Sequence, residues 1–196
     1  MTRFLLIRHA HHDYIGRAIA GWLPGVCLST QGEAEAAELP RRLTGENITA
    51  IYSSPLERAL ETAAPLSKAL RLPIVIREAL GELRFGDWTG RTMTELDADP
   101  LWHRFNTHRG TTRAPGGELM LESQGRMVAE LERIRKDHPD TVVAVTSHSD
   151  IIRAALLHYL GMPIDFFNRI EIHPASVTVL EMDDHGHRVL KLNNTK

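Results

Sequence analysis

Arg3-Phe4-Leu5-Leu6-Ile7-Arg8-His9-Ala10-His11-His12-Asp13 decides the reading of this chain. An apolar run of strand-forming residues breaks off at an arginine and a histidine, as a buried parallel strand does when it delivers polar side chains to its C-terminal edge. Open α/β sheets bind ligands along that edge. Arginine offers a fixed cationic fork for phosphate oxygens, and neutral imidazole can serve as nucleophile, base or metal ligand. The pair alone leaves those roles open, and a plain strand-end histidine is a further reading of His9.

Working outward, residues 10 to 30 read as a long loop directly after the Arg-His pair, a position and length that suit a functional segment. A helix is expected over Gln31 to Leu43, bent or ended early by Pro40. Thr49 to Tyr52 is a short strand, and Ser53-Ser54-Pro55 predicts a helix start with Ser54 as N-cap and Pro55 at the first helical position, the helix running to about Leu70. Leu72 to Ile76 is a third strand. Residues 79 to 118 read as irregular, with a break at Asp99-Pro100 and short helical turns near Thr92 to Asp97. A helix follows over Met120 to Asp137, then the Val-rich strand Thr141 to Thr146 ending at Ser147-His148, a helix to about Leu160, and two strands, Ser176 to Met182 and Arg188 to Leu192. This alternation predicts a three-layer α/β/α sandwich with a mostly parallel, doubly wound central sheet. The 196 residues read as one domain, with loop insertions at about 10–30 and 79–118.

Lys+Arg 23 against Asp+Glu 25 leaves a net charge of −2, so no general attraction for nucleic acid or an anionic membrane is expected and any anion site must be local. Cys27 is the only cysteine, which excludes an intrachain disulfide framework. With no signal-like or membrane-spanning run, a cytoplasmic protein is expected.

Three predicted strand ends carry the candidate chemistry. The first ends in Arg8-His9, the second feeds a helix with Arg58 in its first turn, and the Val-rich strand ends at His148. On one edge of a parallel sheet these form a trap for a dianionic phosphoryl group, and Glu82, in the glycine-punctuated loop from Gly81 to Gly90, could protonate a leaving ester oxygen. Bland readings stand beside these: Arg58 pairing with Glu57 or Glu61 on a helix surface, Glu82 as a solvated acid, His148 as a helix cap, and Asp150 as an N-terminal helix acid. The loop aromatics Tyr14, Trp22, Trp88, Trp102 and Phe105 either line a pocket or pack on the domain.

Leu6-Ile-Arg-His-Ala10, the run from Ser53 to Ala63, Gly81-Glu82 with Phe85-Gly86 and Trp88-Thr-Gly90, and Ser147-His148 together resemble the histidine phosphatase superfamily, also called phosphoglycerate mutase-like. The likeness continues through Leu28 to Gly32, Gly116-Gly-Glu118, Glu122, Arg126, Ile151 to Arg153 and Leu192 to Thr195. It implies His9 as the nucleophile of a phosphohistidine, Arg8, Arg58 and His148 as phosphoryl ligands, Glu82 as general acid and then base, and Arg17 and Glu118 as substrate-facing residues. A small-molecule phosphate ester is the implied substrate, with no cofactor or metal, and a homodimer is compatible with the resemblance.

Ala10-His11-His12 after the Arg-His pair, Ser149 after His148 and Leu119 after Glu118 depart from the family's usual residues and bear on substrate choice. The segment around Glu82 resembles the phosphatase branch, so hydrolysis is expected ahead of mutase-type phosphoryl transfer. Two rivals of other classes remain. His9, His11 and Asp13 nearly spell a binuclear zinc hydrolase pattern, in which Tyr14 occupies the last histidine's place; the other is a phospholigand-binding protein without catalysis.

Overall fold

A computed structural model describes residues 1–196. Six strands form one sheet: β1 (Thr2–Arg8), β2 (Ile48–Ser53), β3 (Ile74–Ile76), β4 (Val142–Ser147), β5 (Val177–Asp183) and β6 (Gly186–Asn194), in the order β3-β2-β4-β1-β5-β6. The β3, β2, β4 and β1 neighbours pair in parallel, while β5 runs antiparallel to β1 and β6 antiparallel to β5. The expected mostly parallel sheet is present, and its antiparallel pair lies at one side.

The strand β1 shows how the pattern builds the layers. Successive side chains point to opposite faces, so Phe4 and Leu6 join the larger core while Leu5 and Ile7 join the smaller one. The larger core is closed by α5 (Met120–Asp137), through Met120, Met127, Leu131 and Ile134, and by α6 (Ser149–Tyr159). The smaller is closed by α1 (Thr30–Arg42), through Leu39, and by α2 (Glu57–Leu70), through Ala63 and Leu66. Both faces of β1 being covered explains its unbroken apolar run. No helix is long and apolar enough to cross a membrane.

Several boundaries differ from expectation for local reasons. Pro40 sits inside α1, two residues before its end, and the Leu43 amide still reaches the Leu39 carbonyl at 2.9 Å. Ser54 does not cap α2. The helix starts at Glu57 with Leu56 as its cap, and the Ser54 hydroxyl turns to His148. Asp99-Pro100, expected as a break, begins α4 (Pro100–Thr107): Asp99 Oδ1 accepts from the Leu101 amide and Pro100 fills the first turn, where its missing N–H costs nothing. The predicted turns near Thr92 are α3 (Met93–Asp97), closed by a capping box between Thr92 and Glu95.

Candidate active site

Parallel pairing of β1 and β2 with β4 brings their C-terminal ends to one edge, with Arg8 opposite Ser147 and Ser53 opposite Thr146. His9 follows β1, Arg58 is the second residue of α2, and His148 joins β4 to α6. A cavity of about 370 Å³ opens there, lined among others by Arg8, His9, His12, Arg58 and Glu82. The first two residues of α6, Ser149 and Asp150, also line it. Their backbone amides belong to the helix turn that has no internal acceptor, which favours an anion.

His9 is 3 % exposed, and its Nδ1 lies 2.8 Å from the Ala10 carbonyl oxygen. A carbonyl can only accept, so Nδ1 carries the proton and Nε2 keeps its lone pair. Burial, with Arg58, Arg8 and His12 close by, holds this imidazole well below its ordinary pKa. The ring is therefore neutral at neutral pH, as a nucleophile must be.

Arg58, 1 % exposed, donates through Nη2 to the Gly21 carbonyl at 2.8 Å and contacts His148 Nδ1 at 3.3 Å, while its Nε and Nη1 are buried without partners. It pairs with neither Glu57 nor Glu61, whose carboxylates accept instead from the Gly25 and Leu28 amides. Arg8 donates through Nη1 to the Ile172 carbonyl at 2.6 Å, and its Nε is likewise buried and unpartnered. Buried guanidinium N–H groups left without acceptors beside a cavity suit a phosphoryl group.

His148 is fully buried, with its ring centroid 5.2 Å from that of His9. Contact from Arg58 makes Nδ1 an acceptor, so Nε2 donates to Ser54 Oγ at 2.8 Å. A hydroxyl can also donate, so Ser54 permits the other tautomer, with Nδ1–H turned to a phosphoryl oxygen.

Glu82 Oε2 stands 3.8 Å from His148 Nδ1, and Oε1 accepts from the Leu83 amide at 2.9 Å. Burial, followed by the nearby Asp150 charge, raises its carboxyl to about 7 against the opposing pull of Arg58 and Arg8. At neutral pH it can thus give or take a proton.

The loop carrying Glu82 is held from α5. Arg126 donates all five of its N–H groups, to the Ala79, Gly81 and Glu82 carbonyls and to both Glu118 oxygens. Trp22 Nε1 also donates to the Glu82 carbonyl, at 2.6 Å. Gly86, at φ +55°, lies so close to the 115–117 turn that a Cβ would fall 2.0 Å from the Pro115 carbonyl oxygen.

Arg8, His9, Arg58, Glu82 and His148 are thus brought together, but Arg17 and Glu118 are not. Arg17 is exposed and outside the cavity lining, and Glu118 is committed to Arg126 and the Arg84 amide. The zinc alternative lacks its ligand set: His11 Nδ1 is engaged with Ser29 Oγ, Asp13 is exposed, and no three His, Cys, Asp or Glu side chains gather for a metal ion. Trp88, Trp102 and Phe105 pack on one another rather than lining the cavity.

His12, Asp150 and Arg153 line the cavity without having been expected to. Helical spacing was the available signal for the last two, since residues two and five beyond His148 begin the following helix. His12, 4 % exposed, has its ring centroid 4.9 Å from that of His9. Its own burial and the nearby Arg58 and Arg8 push it down to about 3.

A family model described as the histidine phosphatase superfamily (branch 1) matches residues 4–195. Phosphoserine phosphatase 1 of Hydrogenobacter thermophilus is 30 % identical over 100 % of this chain and 93 % of its own length. Glucosyl-3-phosphoglycerate phosphatase of Mycobacterium tuberculosis is 32 % identical over 83 % of this chain and 77 % of its own. Among solved structures, Bacillus stearothermophilus YhfR superposes with a TM-score of 0.93 at 27 % identity, covering 99 % of this chain and 98 % of that one. The mycobacterial glucosyl-3-phosphoglycerate phosphatase superposes at 0.86 with 27 % identity, over 97 % and 98 % of the two chains. Sequence and fold together make this chain a member of the histidine phosphatase superfamily, branch 1.

Proposed function

We propose that the protein hydrolyses small phosphate monoesters through a phosphohistidine on His9. The observation that carries this reading is the Nδ1 contact to the Ala10 carbonyl, which leaves the His9 Nε2 lone pair free beside the unpartnered N–H groups of Arg8 and Arg58. In the first step Nε2 attacks phosphorus, the P–O ester bond breaks, and neutral Glu82 protonates the departing alkoxide. In the second, a water attacks the phosphohistidine, ionised Glu82 takes its proton, and phosphate leaves with His9 restored. Arg8, Arg58 and His148 surround the phosphoryl oxygens throughout and stabilise their charge. Covalent catalysis divides one hard displacement into two easier ones.

Named relatives that act on phosphoserine and on glucosyl-3-phosphoglycerate support hydrolysis. The test is phosphate release from para-nitrophenyl phosphate and a panel of alkyl phosphates, with and without chelator. Release should survive chelation and fall at least about 10³-fold in His9→Ala, with circular dichroism unchanged. A folded His9→Ala variant keeping most of its activity would exclude the mechanism.

A further inference from the structure

His12 is a buried polar side chain in the cavity wall to which the hydrolysis described above gives no task. Its ring lies 4.9 Å from that of His9, tilted by 37°. Nδ1 faces the Tyr14 backbone amide at 3.3 Å. An amide N–H can only donate, so Nδ1 presents its lone pair and the proton of the neutral ring sits on Nε2. No protein group accepts from Nε2, although the side chain lines the cavity together with His9, Arg58 and Glu82.

The backbone leading to His12 is pinned from two helices. The Ala10 amide donates to Thr62 Oγ1 of α2 at 2.9 Å, the His11 amide donates to Glu35 Oε2 of α1 at 2.9 Å, and the His11 carbonyl accepts from the Ser29 amide at 3.0 Å. Gly32 backs onto this turn so closely that a Cβ there would fall 2.0 Å from the His11 carbonyl oxygen. The imidazole is therefore set in place before a ligand arrives, which lowers the cost of binding one.

Geometry decides what its N–H can reach. The attacking and leaving groups stand in line on opposite sides of phosphorus. A ring beside His9 is on the attacking side, so it meets an equatorial oxygen and not the leaving one that Glu82 serves. A further donor is of use there, because Arg8 and Arg58 each spend an N–H on a backbone carbonyl, that of Ile172 and that of Gly21. Burial and the two arginines push His12 down to about 3, so it adds a hydrogen bond without placing another positive charge against the nucleophile.

We propose that His12 is a further ligand of the phosphoryl group, donating from Nε2–H to an equatorial oxygen on the side of the nucleophile. This rests on the phosphatase reading above and adds a residue to the same site.

Two variants and one spectrum test it. His12→Phe keeps an aromatic ring and removes the donor, whereas His12→Gln keeps a donor on its amide. His12→Phe should lower kcat/KM for para-nitrophenyl phosphate, and weaken calorimetric binding of inorganic phosphate, by about 10-fold or more each, as loss of a hydrogen bond to a charged group predicts. His12→Gln should bring both to within about 3-fold of wild type. In wild type, long-range proton–nitrogen NMR correlation should place the His12 proton on Nε2, and that N–H signal should move downfield when inorganic phosphate is added.

The spectrum decides even where His12→Phe does not fold. A proton on Nδ1, or an Nε2–H signal unmoved by bound phosphate, would overturn the role. So would a His12→Phe variant within about 3-fold of wild type, or equal losses in His12→Phe and His12→Gln, which would leave His12 as packing for His9. Wild type that binds inorganic phosphate with the expected shift and variant pattern but cleaves no ester would overturn only the phosphatase reading, and wild type that binds no inorganic phosphate would overturn both.

Discussion

At the scale of single residues the account rests on two protons. One stays on His9 Nδ1, held by the Ala10 carbonyl, and the other comes and goes on Glu82 at about pH 7. The first leaves the His9 ring neutral over the whole neutral range, as the proposed nucleophile requires, because burial and neighbouring arginines hold its pKa well below the ordinary value. The second limits the reaction only where the leaving group needs protonation. Glu82→Gln should therefore lower kcat on alkyl phosphates by about 10²- to 10⁴-fold and on para-nitrophenyl phosphate by about 10-fold or less. In wild type the alkyl-to-aryl ratio of kcat/KM should be flat below pH 6.5 and fall above pH 7 as Glu82 ionises. Each kcat/KM is first divided by the fraction of that ester present as dianion, since aryl phosphates ionise at lower pH than alkyl phosphates. Equal losses on both ester classes, or a ratio independent of pH, would remove Glu82 from the role of general acid.

Among the elements, β1 and β4 were the most legible in the sequence, since strands buried on both faces show unbroken apolar runs that end where polar side chains emerge. Elements set by local capping were less so. Asp-Pro reads equally as a break or as a cap with proline in the first turn, and only the Asp99 contact with the Leu101 amide decides for α4. Ser54 has the composition of an N-cap, but a buried histidine nearly a hundred residues away claims its hydroxyl. Glu118 and Arg126 were legible as part of a motif while their task was not. Their ion pair lies outside the cavity and fastens the Glu82 loop to α5. Arg126→Lys removes the fork that serves three carbonyls at once. It should lower kcat on alkyl phosphates about 10-fold with less effect on aryl phosphates, because the misplaced group is Glu82. Equal losses on both would assign Arg126 to the fold at large rather than to the loop.

Over the whole molecule, the ends of three parallel strands bring Arg8, His9, Arg58 and His148 to one edge and the loop held by Arg126 adds Glu82, and that much follows from an ordered set of motifs. The charge balance of the cavity does not. Arg153 and Arg109 both lie over Phe167, and His12 lies buried beside His9, contacts that no local pattern connects to the site. These buried groups also link stability to pH. His9, His12 and His148 all have lowered pKa values in the fold, so below about 6.5 the unfolded chain binds more protons and stability falls as pH drops. Glu82 acts in the opposite sense, its value of about 7 making the fold relatively more stable as pH falls toward the ordinary carboxyl range. Isolating one group gives a clean test. With His12 at about 3, His12→Gln should reduce the loss of unfolding free energy between pH 7.5 and 5.5 by about 1 kcal/mol, measured by urea titration. An unchanged pH dependence would mean that His12 titrates normally in the fold.

The central claim, a covalent bond between phosphorus and His9, is tested most directly by rapid acid-free quenching with a ³²P-labelled ester and mapping of the labelled peptide. The account predicts an acid-labile, alkali-stable phosphoryl group on His9 Nε2, formed and discharged at rates compatible with turnover and absent from His9→Ala. Turnover with no label on the protein, or with label on a different residue, would contradict it.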